Sequence, residues 1–230
     1  MSQPPKEMYE ALFELNLKGL LEAINKRDFD RMHRAFEFDA RQLLAADLLI
    51  AADQPLPERF ISEAKSRELQ IAQTIVFPSM ATVGTQSKLA SIKAVSPEYP
   101  LRGALEEEGL SSSMVGMASG SVYVDPALLN HLRAKLGDSI RLGDRQFVIS
   151  GILVKELDRG AGFMNFAPRV MMHRADLDAT GLVQPASRIT WRFAVVGDTE
   201  AVERFVSWAQ EHAKLPQVRG VRVESLETGD

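Results

Sequence analysis

SRITWRFAVVGDTEAVERFVSWAQEHAKLPQVRGVRV, residues 187–223, changes its period twice. At the start Ile189, Trp191, Phe193 and Val195 alternate with Arg188, Thr190, Arg192 and Ala194, the two-residue repeat of a half-buried strand. Past Asp198 or Thr199, either of which suits a helix N-cap, Val202, Phe205, Val206 and Ala209 fall at i, i+3, i+4 and i+7, a helical face. Pro216 closes that helix, and VRGVRV at 218–223 reads as a second strand. The stretch is a strand, a helix and a strand.

The same order occurs near residues 47–84. DLLIAAD is a short apolar strand; Pro57 opens a helix with Phe60, Ile61 and Ala64 on its apolar face through about Leu69; and IAQTIVFPSMATVG returns as a strand. The turn-prone GTQS then leads into a further strand, KLASIKAV, and Pro78 marks a bulge or an edge. Two β-α-β units separated by about a hundred residues predict an α+β fold: a split ferredoxin-like layer, discontinuous in sequence, with a β-rich subdomain inserted in its middle.

Within that middle, residues 97–120 carry two prolines, the run EEE and SSSMVGMASG, and read as a boundary loop. SVYV begins the inserted part. Asp125-Pro126 is a helix cap followed by the preferred first helical residue, and Gly137 is the expected end of that helix. SIRL, the turn Gly143-Asp144 and RQFVISGILV predict a type II′ hairpin, with glycine supplying the positive φ. Pro168–Arg174 alternates as a strand, and Ala175–Thr180 makes one or two helical turns ended by Gly181.

At the other end, residues 6–26 predict an amphipathic helix. Leu12, Phe13, Leu17, Leu20, Leu21 and Ile24 share a face, and Glu14/Lys18 and Glu22/Lys26 pair across turns. Asp28 caps a second predicted helix through about Ala45. The longest apolar run, LLAADLLIAA, is interrupted by Asp47 and falls short of the ~18–20 residues that cross a bilayer. No signal peptide precedes it, so the chain as written is expected to be soluble.

Composition removes several kinds of chemistry. With 27 basic and 31 acidic residues, a net charge of −4 and no basic stripe, nucleic acid is not an expected partner. The absence of cysteine excludes disulfides, thiolate metal sites and a cysteine nucleophile. His33, His131, His173 and His212 stand alone, without the spacing that sets two imidazoles on one helical face, and no glycine-rich phosphate or dinucleotide motif occurs. GDSI at 137–140 has Ser139 opening a strand after a helix-ending glycine, and GMASG at 116–120 is not the G-x-S-x-G of a nucleophile elbow. His173 and Asp176, close in NFAPRVMMHRADLDATGL, fall where secondary structure puts them. No catalytic, cofactor-binding or metal-binding residue is therefore expected. A hydrolase reading has only Ser139 or the His173/Asp176 pair to stand on.

Taken together, GDSIRLGDRQFVISGIL, APRVMMHRADLDATGL and QPASRITWRF resemble the first extracytoplasmic domain of YbbP-like permeases, in the MacB/FtsX superfamily of ABC transporters. The resemblance runs from about Asp30 to the C-terminus. It implies a porter-like domain over residues 28–115 and 187–230, with 28–45 as the incoming stalk helix, and an inserted Sabre-like β-rich subdomain over 116–186. It also implies a position at the periplasmic face of the bacterial inner membrane, a dimeric cytoplasmic ABC ATPase as partner, and a non-enzymatic role relaying ATP-driven motion to a periplasmic partner protein or to export of a lipid, lipoprotein or other amphiphile. Two departures stand out. Where the family often shows E-P-D ahead of an arginine, this chain reads Glu156-Leu157-Asp158-Arg159. Where it has a membrane helix upstream of Asp30, this chain has the charged helix at 6–26, so residues 1–27 are read as an amphipathic helix that is either non-native or stands in place of that membrane helix. The alternative reading is a free-standing module holding a small apolar ligand between its two parts, with the nine methionines as adaptable surface.

Overall fold

The computed structural model describes residues 46–109, 117–156, 158–159, 167–184, 187–215, 218 and 220–225. The helices expected at 6–26 and 28–45 lie outside the described residues.

Four strands form the outer layer: β1 (Leu48–Ala52), β2 (Gln70–Val83), β9 (Thr190–Val196) and β10 (Arg222–Ser225). They lie in the order β10-β1-β9-β2, every pair antiparallel. Helix α1 (Glu58–Ser66) connects β1 to β2, and α3 (Thr199–Ala213) connects β9 to β10. This is the expected split β-α-β arrangement, in which each helix carries the chain past one intervening strand. Both helices bury one face against the sheet: Phe60 and Ala64 from α1, and Val202, Phe205 and Ala209 from α3, meet Leu48, Ile50, Phe193 and Val195. Asp198 caps α3, its carboxylate accepting from the Glu200 and Ala201 amides at 3.0 and 3.4 Å.

Strand β2 is long enough to serve twice. Through Gln70–Val76 it pairs with β9, while Ala81 and Thr82 pair with β6 (Ser139–Leu142). Pro78 sits between these two pairings, exposed, where its missing N–H leaves no ladder bond broken on that side. On its other side β2 pairs with β3 (Gln86–Val95). From there pairing continues through β8 (Arg169–His173), β5 (Ser121–Val124) and β7 (Arg145–Lys155) to β6, which returns to β2. The strands thus close into a ring. Alternate residues of each point inward, among them Phe77, Ile92, Val122, Ile140, Phe147 and Val170, and α2 (Pro126–Leu132) adds Leu128, Leu129 and Leu132 to the same core. Asp125 caps α2 through the Ala127 amide at 2.8 Å.

The hairpin β6-β7 turns at Gly143 with φ +57, as the expected type II′ turn requires. Its tip docks on the turns that follow β8, with the Asp144 amide donating to the Thr180 carbonyl at 2.9 Å.

Several expectations need correction. Helix α2 ends at Leu132, not Gly137, because Arg133 adopts the left-handed conformation that terminates it. Helix α1 stops at Ser66 rather than near Leu69, followed by Glu68 at positive φ. EEE is not loop: Glu106–Gly109 form β4, pairing with β7 at the far edge of the sheet. Strand β10 begins at Arg222 rather than Val218, beyond Gly220 at φ +68. Strand β9 is buried on both faces over Phe193–Val196, not on one. Phe193 and Val195 face the helices, and Ala194 faces a second small core closed by Tyr99 and Leu101.

Candidate functional site

The outward face of the ring is not solvated where β3 and β8 run side by side. Strand alternation that sends Ile92, Ala94, Val170 and Met172 inward sends Ser91, Lys93, Arg169 and Met171 outward, yet all four are buried. Arg192 in the neighbouring layer lies opposite Thr74, which pairs with Val95, two residues from Lys93, so it stands on the same face. A sheet face bearing Lys93, Arg169 and Arg192 carries three cations with little water, which demands anions. They come from the segment after β7. Glu156 and Asp158 are two residues apart, a spacing that lets both carboxylates of an extended segment point the same way.

Lys93 Nζ donates to Glu156 Oε1 at 2.7 Å, to Asp158 Oδ1 at 2.7 Å and to the Tyr99 hydroxyl at 2.8 Å, so three acceptors take its three N–H bonds. The Tyr99 hydroxyl in turn donates to Asp158. Arg169 Nε donates to Glu156 Oε2 at 2.9 Å and its Nη1 to Ser91 Oγ. Arg192 Nη1 donates to the Asp158 carbonyl at 3.1 Å and stands 4.0 Å from its carboxylate. Arg159 bonds Asp125 Oδ2 and the Ala167 carbonyl, tying the same segment to the start of α2.

Burial alone would raise the pKa of Glu156, but the Lys93 ammonium and the Arg169 guanidinium outweigh it and hold the carboxyl below its ordinary value. Asp158 behaves alike: desolvation is overcome by Lys93, by the Tyr99 hydrogen bond and by Arg192. Tyr99 is pushed well above the usual phenol value, first by burial and then by the charges of Asp158 and Glu156. The cluster is thus two carboxylates, clamped between cations, and a neutral phenol. Its chemistry is cohesion: it fastens the segment after β7 to three strands.

A second clasp lies beside it. Arg102 donates from Nε and Nη2 to the two Asp47 oxygens at 3.2 and 2.8 Å, and the Gly197 amide donates to Asp47 Oδ2 at 3.2 Å.

The residues weighed for catalysis are dispersed among these supports. Ser139 is exposed, its hydroxyl 3.3 Å from Gln146 Oε1. His173 Nδ1 accepts the Ala175 amide at 3.2 Å, capping a turn. Asp176, buried, accepts from Ser119 Oγ at 2.5 Å and from the Gly120 amide at 2.8 Å. His212 stacks on Trp208 at 4.0 Å between centroids, and His131 is exposed. His33 lies outside the described residues. Among the described residues no group of His, Asp and Glu has the arrangement of a metal site.

Sequence reading singles out none of Lys93, Tyr99 and Arg169; it meets Arg192 only as part of an alternation, and Glu156 and Asp158 only as a departure from a pattern. The available signals were a lysine inside the apolar run SIKAV, an arginine opening the apolar run RVMM, and the acidic pair in Glu156-Leu157-Asp158. The two acids of that pair are the side chains that meet the cations.

No protein-family model matches the chain. Its sequence is 34% identical over 192 residues to "Uncharacterized ABC transporter permease YbbP" of Escherichia coli K12, an alignment covering 83% of this chain and 23% of that protein. The chain therefore spans about a quarter of the length of this relative. In fold it is similar to the periplasmic region of MacB from Actinobacillus actinomycetemcomitans, with TM-score 0.52, 11% identity, and 82% of this chain and 92% of that one covered. It is similar also to the extracellular domain of the noncanonic ABC-type transporter YknZ from Gram-positive bacteria, with TM-score 0.53, 11% identity, and 77% and 100% covered. Among the described residues no helix is long and apolar enough to cross a membrane. The resemblance read from the sequence therefore stands: over most of its length this chain is similar to a segment of a YbbP-type ABC transporter permease, and it has the α+β fold of the MacB and YknZ domains outside the membrane.

Proposed function

We propose that this chain is the periplasmic, non-catalytic domain of an ABC transporter permease, passing ATP-driven motion from a cytoplasmic ATPase to the export or extraction of a lipid, lipoprotein or other amphiphile. The observation that carries the reading, beside the sequence relationship, is a register. Leu48 pairs with Ser225 across β1 and β10, so the backbone comes into the outer layer and leaves it at one place. A domain held between two neighbouring membrane helices needs that geometry. Motion of those helices relative to each other is then delivered directly to adjacent strands, and ATP can bias the domain if its two states differ in what they contact.

The division into a porter-like part and an inserted Sabre-like part fits the same reading. Two separate cores support it, one under α1 and α3 and one inside the ring, with β2 contributing to both. A non-catalytic role is supported by the cluster itself, whose charged groups are engaged with one another.

The test is recovery of the partner. The full-length permease, extracted from membranes in mild detergent, should bring an ABC ATPase subunit with it, and its repeated absence would count against the reading. Esterase assays on the chain, compared with Ser139→Ala and His173→Ala, should show no activity that either substitution removes.

A further inference from the structure

Residues 96–102 run from the end of β3 to the start of β1 and are fastened at both ends. At one end Ser96 is bonded to Gln73 through both backbone and side chain, and Tyr99 reaches Lys93 and Asp158 in the ion cluster. At the other, Arg102 grips Asp47, the residue immediately before β1, and the Asp47 amide donates to the Val195 carbonyl at 3.0 Å. Between them Tyr99 and Leu101 pack on Ala46, Leu49, Ala72 and Ala194. The sheet offers a second connection between the outer layer and the ring, but a softer one. Between Val76, where pairing with β9 ends, and Ala81, where pairing with β6 begins, β2 pairs on one side alone among the described residues. Pro78 within that gap has no N–H to offer.

We propose that Tyr99–Arg102 is a strut: it holds the point where the backbone comes into β1 at a fixed position relative to the ion cluster on the ring, so that displacement at Asp47 moves the ring with it. This rests on the relay reading, since only a domain that transmits displacement needs such a member. A sheet that bends at residues 77–80 would absorb the motion; a strut bridging Asp47 to Asp158 prevents it.

The absence of cysteine allows the test on the whole chain. Spin labels at Glu203→Cys on α3 and Arg145→Cys on the hairpin of the ring report the distance between the two parts by pulsed electron paramagnetic resonance. The otherwise unaltered chain should give one narrow distribution. Arg102→Gln should broaden or shift it, Tyr99→Phe with Arg102→Gln should do so further, and Arg67→Gln, which cuts the ion pair from the residue after α1 back to Glu63, should leave it unchanged. A native distribution in the doubly substituted chain overturns the strut. Should that chain lose its cooperative melt, Arg102→Gln alone decides in the same way, its side chain being 43% exposed. The readout involves neither ATPase nor cargo, so its failure is distinguishable from failure to recover an ATPase with the permease.

Discussion

Arg169 Nε and Glu156 Oε2 stand 2.9 Å apart with each side chain 1% exposed, joining the first residue of β8 to the residue that follows β7. Glu156 shares its other oxygen with Lys93, so one carboxylate ties three parts of the chain together. Ion pairs this deep add little over a well-packed apolar alternative, yet removing one partner leaves a charge buried without a counterion.

Lys93→Met applies that asymmetry. Stripping the ammonium from between Glu156 and Asp158 should destabilise the fold by about 3–5 kcal/mol, the usual range for breaking a buried pair. Adding Asp158→Asn to Lys93→Met should restore part of the loss, because it removes one of two buried carboxylates that would then have only Arg169 and the more distant Arg192 for counterions. Urea midpoints of the two single variants and the double variant measure both effects; simple additivity would mean the groups are not coupled.

Acid should loosen the same cluster. Glu156 and Asp158 have folded pKa values below their unfolded ones, so their contribution is complete above the unfolded values, near pH 4, and fades as the pH falls through the folded ones. Tyr99 acts at the opposite end. Its folded pKa is raised above the unfolded value of about 10, so its contribution is held below that pH and lost as alkali titrates the phenol. Melting temperatures should stay level through neutrality and fall on both sides, and Tyr99→Phe should remove the cluster's share of the alkaline fall.

Two glycines with nearly the same φ distinguish strain from collision. Gly84 and Gly143 have φ +56 and +57, but a Cβ at Gly84 would meet nothing within 4 Å, whereas at Gly143 it would stand 2.1 Å from the Thr180 carbonyl oxygen. Gly84→Ala should cost only the left-handed penalty, roughly 1–2 kcal/mol. Gly143→Ala should cost clearly more and undock the hairpin tip, seen as faster hydrogen exchange at the Asp144 amide.

In the outer layer, Phe205 has no exposed surface, and its ring lies 6.4 Å from Phe193 and 5.7 Å from Trp208. Phe205→Ala should cost about 3–5 kcal/mol through lost burial and the cavity left behind. The emission of Trp208 should shift as its stacking partner disappears. A loss under 1 kcal/mol would mean that α3 settles onto the sheet and refills the space.

Local signals were the legible ones. Asp198, Asp125-Pro126 and Gly143-Asp144 each mark a cap or a turn through chemistry confined to a few neighbouring residues, and each is found where that chemistry puts it. The β-α-β units follow from period, and their strand order follows once two such units share a layer. What could not be read was long-range. The ring exists because β2 changes neighbour beyond Pro78, and nothing near Ala81 announces β6, about sixty positions later. Strand β9 reads as half-buried because Arg188, Thr190 and Arg192 set the pattern, while the cover over Ala194 arrives from Tyr99 and Leu101. The cluster is the extreme case. Lys93, Glu156 and Arg169 are each unremarkable alone, and only the fold shows that they meet.

Pairing between Leu48 and Ser225 brings the two backbone crossings of this layer side by side. A unit built so needs only a narrow gap in whatever carries it. The stretch from Ala46 to Ser225, which keeps the Asp47 clasp, should therefore be transplantable into a surface loop of an unrelated soluble carrier without prising that carrier open, as a portable cassette.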